Sequence, residues 1–220
     1  MAERRALVVG ARDPGIAVAG ALRERGWTAT HLADDDLAWT DSTIDHLGHA
    51  PLDLVVHARY PAIARQRQAF IDLSAAHWAA AADEPLEAAI RLARAAHSRL
   101  AAVDGTMIFL VPLMASAGGE GFAAMATAAE GARLLAKSLA KTWGDDGIAV
   151  HAITLDPSAF LAADDAAGMA EANALHNAPL GHVPDLTTEL TPIIDALTTN
   201  DFAGLTGASL VVDGGLWMPG

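Results

Sequence analysis

The sequence contains no cysteine. That absence excludes disulfides, thiolate zinc sites, iron–sulfur clusters and a cysteine nucleophile, and it fits a reducing compartment. Basic residues are also scarce: 14 Lys and Arg stand against 27 Asp and Glu, for a net charge of −13 and a pI near 4.9. A surface this acidic repels phosphate backbones and anionic lipids, so neither nucleic acid nor a membrane surface is expected as a partner. No apolar run approaches the roughly 18 residues of a membrane-spanning helix. The start, MAERRALVVGARD, lacks the apolar core of a signal peptide, because its short run leads straight into a turn. A cytoplasmic protein is the expectation.

What is present describes a folded chain. Apolar residues make up 52% of the 220, charged residues 19%, and mean hydropathy is +0.27. Those values argue against disorder. The length favours one domain, which at this size buries about 70–75% of its unfolded surface without a metal or disulfide. Apolar runs and helical stretches alternate. Strands are expected at Ala6–Val9, Thr28–Leu32, Leu52–Val56, Thr106–Val111, Ile148–Leu155 and Ala208–Val212. Helices are expected at Ile16–Arg25, over an Ala-rich zone Ala62–Leu100 broken at Pro85, and at Ala123–Trp143; a loop and short helix cover Asp34–Asp36 and Asp41–Leu47. Strands separated by helices of ten or more residues imply right-handed βαβ units. The fold class is therefore α/β: a doubly wound, Rossmann-like parallel sheet with helices on both faces.

Between the first strand and first helix lies VVGARDPGIAVAG. Glycines there let backbone approach a pyrophosphate, and the helix start supplies free N–H donors. The spacing, Gly10-x4-Gly15-x-Ala17, departs from GxGxxG, so by itself the turn is equally a ligand-free connection. Candidate dinucleotide contacts are Gly10, Arg12, Gly15, Ile16 and Asp34. His57, Arg59 and Tyr60 cluster at the end of the third strand, where ligands bind in open α/β sheets. They either fill space or handle a proton or an anion. His46 and His49 share a helical spacing but lack a third metal ligand.

The C-terminal segment DFAGLTGASLVVDGGLWMPG resembles the closing "TG…L.VDGG" signature of the short-chain dehydrogenases/reductases. GTMIFLVP is similar to that family's serine-bearing central strand, and AAEGARLLAKSLAKTWGDDGIAVHAITLDP to its active-site helix, next strand and proline. APLGHVPDLTTELTPIIDAL is similar to the end of its lid, placed at about 158–188, and the following helix. The resemblance spans essentially the whole chain, taken as a single domain over 1–220. It implies a tetrad of Asn, Ser, Tyr and Lys. Carried across, those positions hold Pro85, Pro112, Met125 and Ala129, and the Asn-Asn-Ala-Gly segment reads His57-Ala58-Arg59-Tyr60. None of the tetrad replacements carries a transferable proton. A shift of register supplies no remedy, because Tyr60 is the only tyrosine and no lysine precedes Lys137.

Two readings compete. In the first, the chain is a non-catalytic member that assembles with, and supports, an active NAD(P)-dependent alcohol or hydroxyacyl dehydrogenase paralogue in a heterotetramer, or else assembles with itself. The family associates through its long helices and last strand, and the small residues Ala123, Ala124, Ala126, Ala128, Ala129 and Gly131 would admit a neighbouring subunit. In the second, it is an active oxidoreductase or isomerase using His57 or Tyr60. A dinucleotide-binding regulator is a third. The extra residue in the glycine turn, Arg59 and Ala129 together lead to the expectation that this chain holds no NAD(P) and that the partner does.

Overall fold

Each apolar run becomes a strand because it can pair on both sides and bury both faces, and the helices between them force every pairing to be parallel. The computed structural model describes residues 3–33, 48–175 and 178–218. The strands are β1 (Arg5–Val9), β2 (Thr28–Leu32), β3 (Leu54–His57), β4 (Thr106–Pro112), β5 (Ala149–Leu155) and β6 (Ser209–Val212). They form one six-stranded parallel sheet in the order β2-β1-β3-β4-β5-β6. Registers such as Val9 opposite His57 and Pro112 opposite Leu155 align the strand ends that carry the site.

The helices are α1 (Gly15–Glu24), α2 (Ala75–Trp78), α3 (Glu84–Ala101), α4 (Met114–Ala117), α5 (Ala123–Trp143), α6 (Ala163–Ala172) and α7 (Thr191–Leu197). A π-helical stretch, Ala79–Asp83, joins α2 to α3. Central strands β3 and β4 are buried along their whole length, whereas edge strands β2 and β6 are only half covered. The expectation that all strands are covered on both faces holds for the centre alone.

The helical zone expected over Ala62–Leu100 is corrected. Residues 61–69 are turns, and regular α-helix begins at Ala75. Tertiary ties outcompete helix there: Arg65 Nη1 donates to the Tyr60 carbonyl at 2.7 Å and the Gln68 amide to the Gly121 carbonyl at 2.8 Å. At Pro85 the helical run continues, but the regular α-helical ladder is interrupted just before it by the π-helical stretch Ala79–Asp83, since proline has no N–H to donate to the preceding turn. The expected short helix at Asp41–Leu47 lies outside the described residues.

The small residues of α5 serve the chain's own packing. Ala124, Ala128 and Ala129 are buried in the core, and a Cβ at Gly131 would come within 2.9 Å of the Leu86 side chain on α3. Among the described residues, no helix is long and apolar enough to cross a membrane.

Candidate functional site

The turn after β1 is built around Gly10, with φ +147°. A Cβ there would lie 2.7 Å from the Ala58 carbonyl oxygen, so only glycine lets the chain pass so close to the end of β3. The Gly10 amide donates to the Leu32 carbonyl at 2.9 Å, and the Ala58 amide to the Val9 carbonyl at 2.7 Å. Gly15 is buried, and a side chain on it would collide with the Gly10 carbonyl. The first turn of α1 holds no acidic residue, and Arg12 and Ile16 stand exposed on its lip. Gly10, Arg12, Gly15 and Ile16 are thus brought together; Asp34 lies outside the described residues. His31, which the sequence reading passed over, reaches the same turn, its Nε2 lying 2.8 Å from the Gly10 carbonyl oxygen. The available signal was a histidine near the end of an edge strand.

At the end of β3, His57, Ala58, Arg59 and Tyr60 are all buried. The His57 ring lies 5.7 Å from Phe109 and 6.3 Å from Tyr60, and Tyr60 meets Phe160 edge-on at 5.4 Å. Both imidazole nitrogens of His57 and the Tyr60 hydroxyl have no hydrogen-bond partner among the described residues. Burial, reinforced by the Arg59 charge, pulls the His57 pKa down to about 3. Burial pushes the Tyr60 phenol well above its ordinary range. Burial thus favours a neutral imidazole and a protonated phenol near neutral pH. Arg59 is held by Glu84, with Nη1–Oε2 at 2.9 Å and Nη2–Oε1 at 2.8 Å. These bulky groups fill the space above the sheet.

Pro112 closes β4, Met125 and Ala129 lie one turn apart on the inner face of α5, and Pro85 begins α3; all are buried. Nearby hydroxyls offer no substitute. Thr127 donates to the Ala123 carbonyl at 2.8 Å, and Ser116 is exposed.

The open space lies over β5 and β6. A cavity of about 250 Å³ is lined by Asp13, Asp156, Ser158 and Asp185 at their C-terminal ends. A second, of about 710 Å³, continues from Asp156 beneath α6 to Glu171 and His182. Asp156 is held by the Ser158 amide at 2.8 Å. His182 contacts the Glu189 carboxylate at 3.1 Å, which raises its pKa. The expected lid contains α6 and part of this lining.

The glycine turn stands beside the start of α1, where a helix N-terminus suits a phosphate, while the cavity over β5 and β6 is lined by the acids Asp13, Asp156 and Asp185. Among the described residues no group of acids and histidines is placed to hold a metal ion; His46 lies outside them.

The family model described as Enoyl-(Acyl carrier protein) reductase matches residues 34–217. No curated protein matches the chain. Among solved structures, the TT0495 protein of Thermus thermophilus is 24% identical, with a TM-score of 0.75 over 97% of this chain and 99% of that one. A candidate NAD(P)-dependent gluconate 5-dehydrogenase of Beutenbergia cavernae, with NADP bound at low occupancy, is 23% identical, with a TM-score of 0.76 over 98% and 97%. The expectation that this chain carries no NAD(P) is corrected by these matches: a reductase family covers most of the chain, and a neighbour of the same fold holds NADP. The extra residue in the glycine turn was given too much weight.

Proposed function

This chain belongs to the short-chain dehydrogenase/reductase superfamily, within the enoyl-(acyl carrier protein) reductase family, and from that premise we propose that it is a non-catalytic member that retains an NAD(P) site and supports an active dehydrogenase paralogue. One observation carries the reading. The four places where the resemblance puts proton-handling side chains hold Pro85, Pro112, Met125 and Ala129, all of them buried. General acid–base groups contribute about 10²–10⁴-fold to such reactions, and these side chains have no proton to give.

NAD(P), when bound, supplies hydride acceptance or donation. In this chain Gly10 and Gly15 would cradle its phosphates, Arg12 would face them from the lip, and Asp156 and Ser158 would line the crevice beyond. Ala129 leaves the nicotinamide ribose without an ammonium grip. Assembly would use the outward faces of α3 and α5, which expose Ile90 and Leu134, and the edge of β6, which exposes Val211.

The test pairs two measurements. Calorimetry with NADP and NAD is expected to show saturable binding, and absence of binding heat would remove the dinucleotide from the proposal. The isolated chain is expected to show no NAD(P)H-linked turnover on carbonyl or enoyl thioester substrates, while native mass spectrometry of the complex finds an intact paralogue. Turnover by the isolated chain that disappears in Tyr60→Phe or His57→Ala would instead establish an active enzyme. A complex made of this chain alone would remove the hetero-oligomeric role.

A further inference from the structure

At the opposite end of the sheet from the glycine turn, the segment leading into β3 runs along the last turns of α3. The Leu52 amide donates to the Arg99 carbonyl at 3.1 Å, and Arg99 Nε donates to the Ala50 carbonyl at 2.7 Å. Between them lies a cavity of about 330 Å³, with Leu7 and Leu92 in its floor. Arg94, Ser98, Arg99 and His49 stand around it, and among the described residues no carboxylate lines it.

The charge economy of the chain makes this arrangement informative. Acids outnumber bases 27 to 14, and among the described residues seven arginines end on carboxylates. Among the described residues Arg94 has no hydrogen bond or ion pair, and Arg99 has only its Nε bond to a carbonyl. Two guanidinium groups without counter-charges therefore share one concave site. The end of α3 would ordinarily oppose an anion through its unsatisfied carbonyls. Here two of those carbonyls are occupied: Arg99 O accepts from Leu52, and Leu100 O from Val103 and Gly105.

We propose that this cavity binds a small organic phosphate monoester, with its phosphoryl group on Arg94, Arg99 and Ser98 and its apolar body on Leu7 and Leu92. Two arginine forks and a hydroxyl present more donors than a carboxylate has oxygens, and they match the three terminal oxygens of a dianion. The volume and the mixture of apolar floor and polar rim suit a small ligand. The site is independent of the dinucleotide crevice, since it lies at the other ends of the strands.

Calorimetric titration of the full chain with phenyl phosphate tests this, with benzoate as the carboxylate comparison. The expected result is saturable one-site binding of phenyl phosphate, at least tenfold weaker binding of benzoate, and at least a tenfold loss in Arg94→Gln/Arg99→Gln. Arg12→Gln, on the glycine turn, is expected to weaken NADP binding and to leave phenyl phosphate affinity unchanged. Should the double variant fail to fold, Arg94→Glu at its exposed helix position is expected to give the same loss. The proposal is overturned by no saturable binding, by binding that survives the Arg94 substitutions, by loss of phenyl phosphate affinity in Arg12→Gln, or by benzoate binding as tightly.

Discussion

Arg59, buried at the end of β3, forks onto Glu84, which opens α3 from a position still 39% exposed. The pair clamps the strand end to the helix that leads away from the π-helical stretch. The clamp secures the bulky His57–Tyr60 segment over the sheet.

Removing the carboxylate takes a charged partner from a buried cation. Glu84→Gln is expected to destabilise the protein by roughly 2 kcal/mol, less than the 3–5 typical of a fully buried pair because water reaches Glu84. Arg59→Met, which removes the charge and keeps the volume, should cost less. Urea unfolding of the two variants measures the order, and an equal or smaller loss in Glu84→Gln would contradict the clamp.

His57 gives a defined pH dependence. The folded protein holds it neutral, with a pKa of about 3, whereas the unfolded chain protonates it below about 6.5. The unfolded state therefore binds more protons through this window, and stability falls as pH drops from 6.5 toward 3. The slope is about 1.4 kcal/mol per pH unit. Between pH 6.5 and 4.5 the wild type should lose roughly 2.3 kcal/mol more than His57→Asn, as read from chemical denaturation at each pH. Parallel profiles would place His57 in contact with solvent.

The Tyr60 hydroxyl is buried without a partner. Tyr60→Phe deletes an unsatisfied polar group and keeps the ring contact with Phe160. It is expected to raise stability by about 1 kcal/mol. Thermal melts decide the sign, and a clear loss would mean that the hydroxyl has a partner in solution.

Gly10→Ala should be costly in two ways. The backbone at φ +147° disfavours any side chain, and the added carbon would press on the Ala58 carbonyl. A loss of about 2–4 kcal/mol is expected, together with loss of NADP binding by calorimetry. An alanine variant with wild-type stability would show that the turn is looser than described.

The sequence reading located elements whose signal is local. β2 and α5 fall at Thr28–Leu32 and Ala123–Trp143 as expected, because alternation and helical spacing are written in neighbouring residues. It overextended helix into residues 61–69, where Arg65 and Gln68 are held by Tyr60 and Gly121 across the fold. The cluster at the end of β3 was visible as an unusual string of side chains. Its neutral imidazole and its clamp to Glu84 were not, since both depend on which helix end covers the strand. The expectation of no dinucleotide, drawn from the glycine spacing, Arg59 and Ala129, is overturned by the family match and the NADP-holding neighbour, because a few side-chain replacements do not report whether the fold around them keeps its ligand.

The parallel order of the sheet also governs how the chain reaches its native state. Even the pairing nearest in sequence, Arg5 opposite Thr28, closes only after an intervening helix has formed, and β3 must then insert beside β1 on the other side. Among the described residues no hairpin is available as a nucleus. Contacts of high sequence separation delay the transition state, so refolding should run on the millisecond-to-second scale, with bare strand edges exposed to neighbouring chains meanwhile.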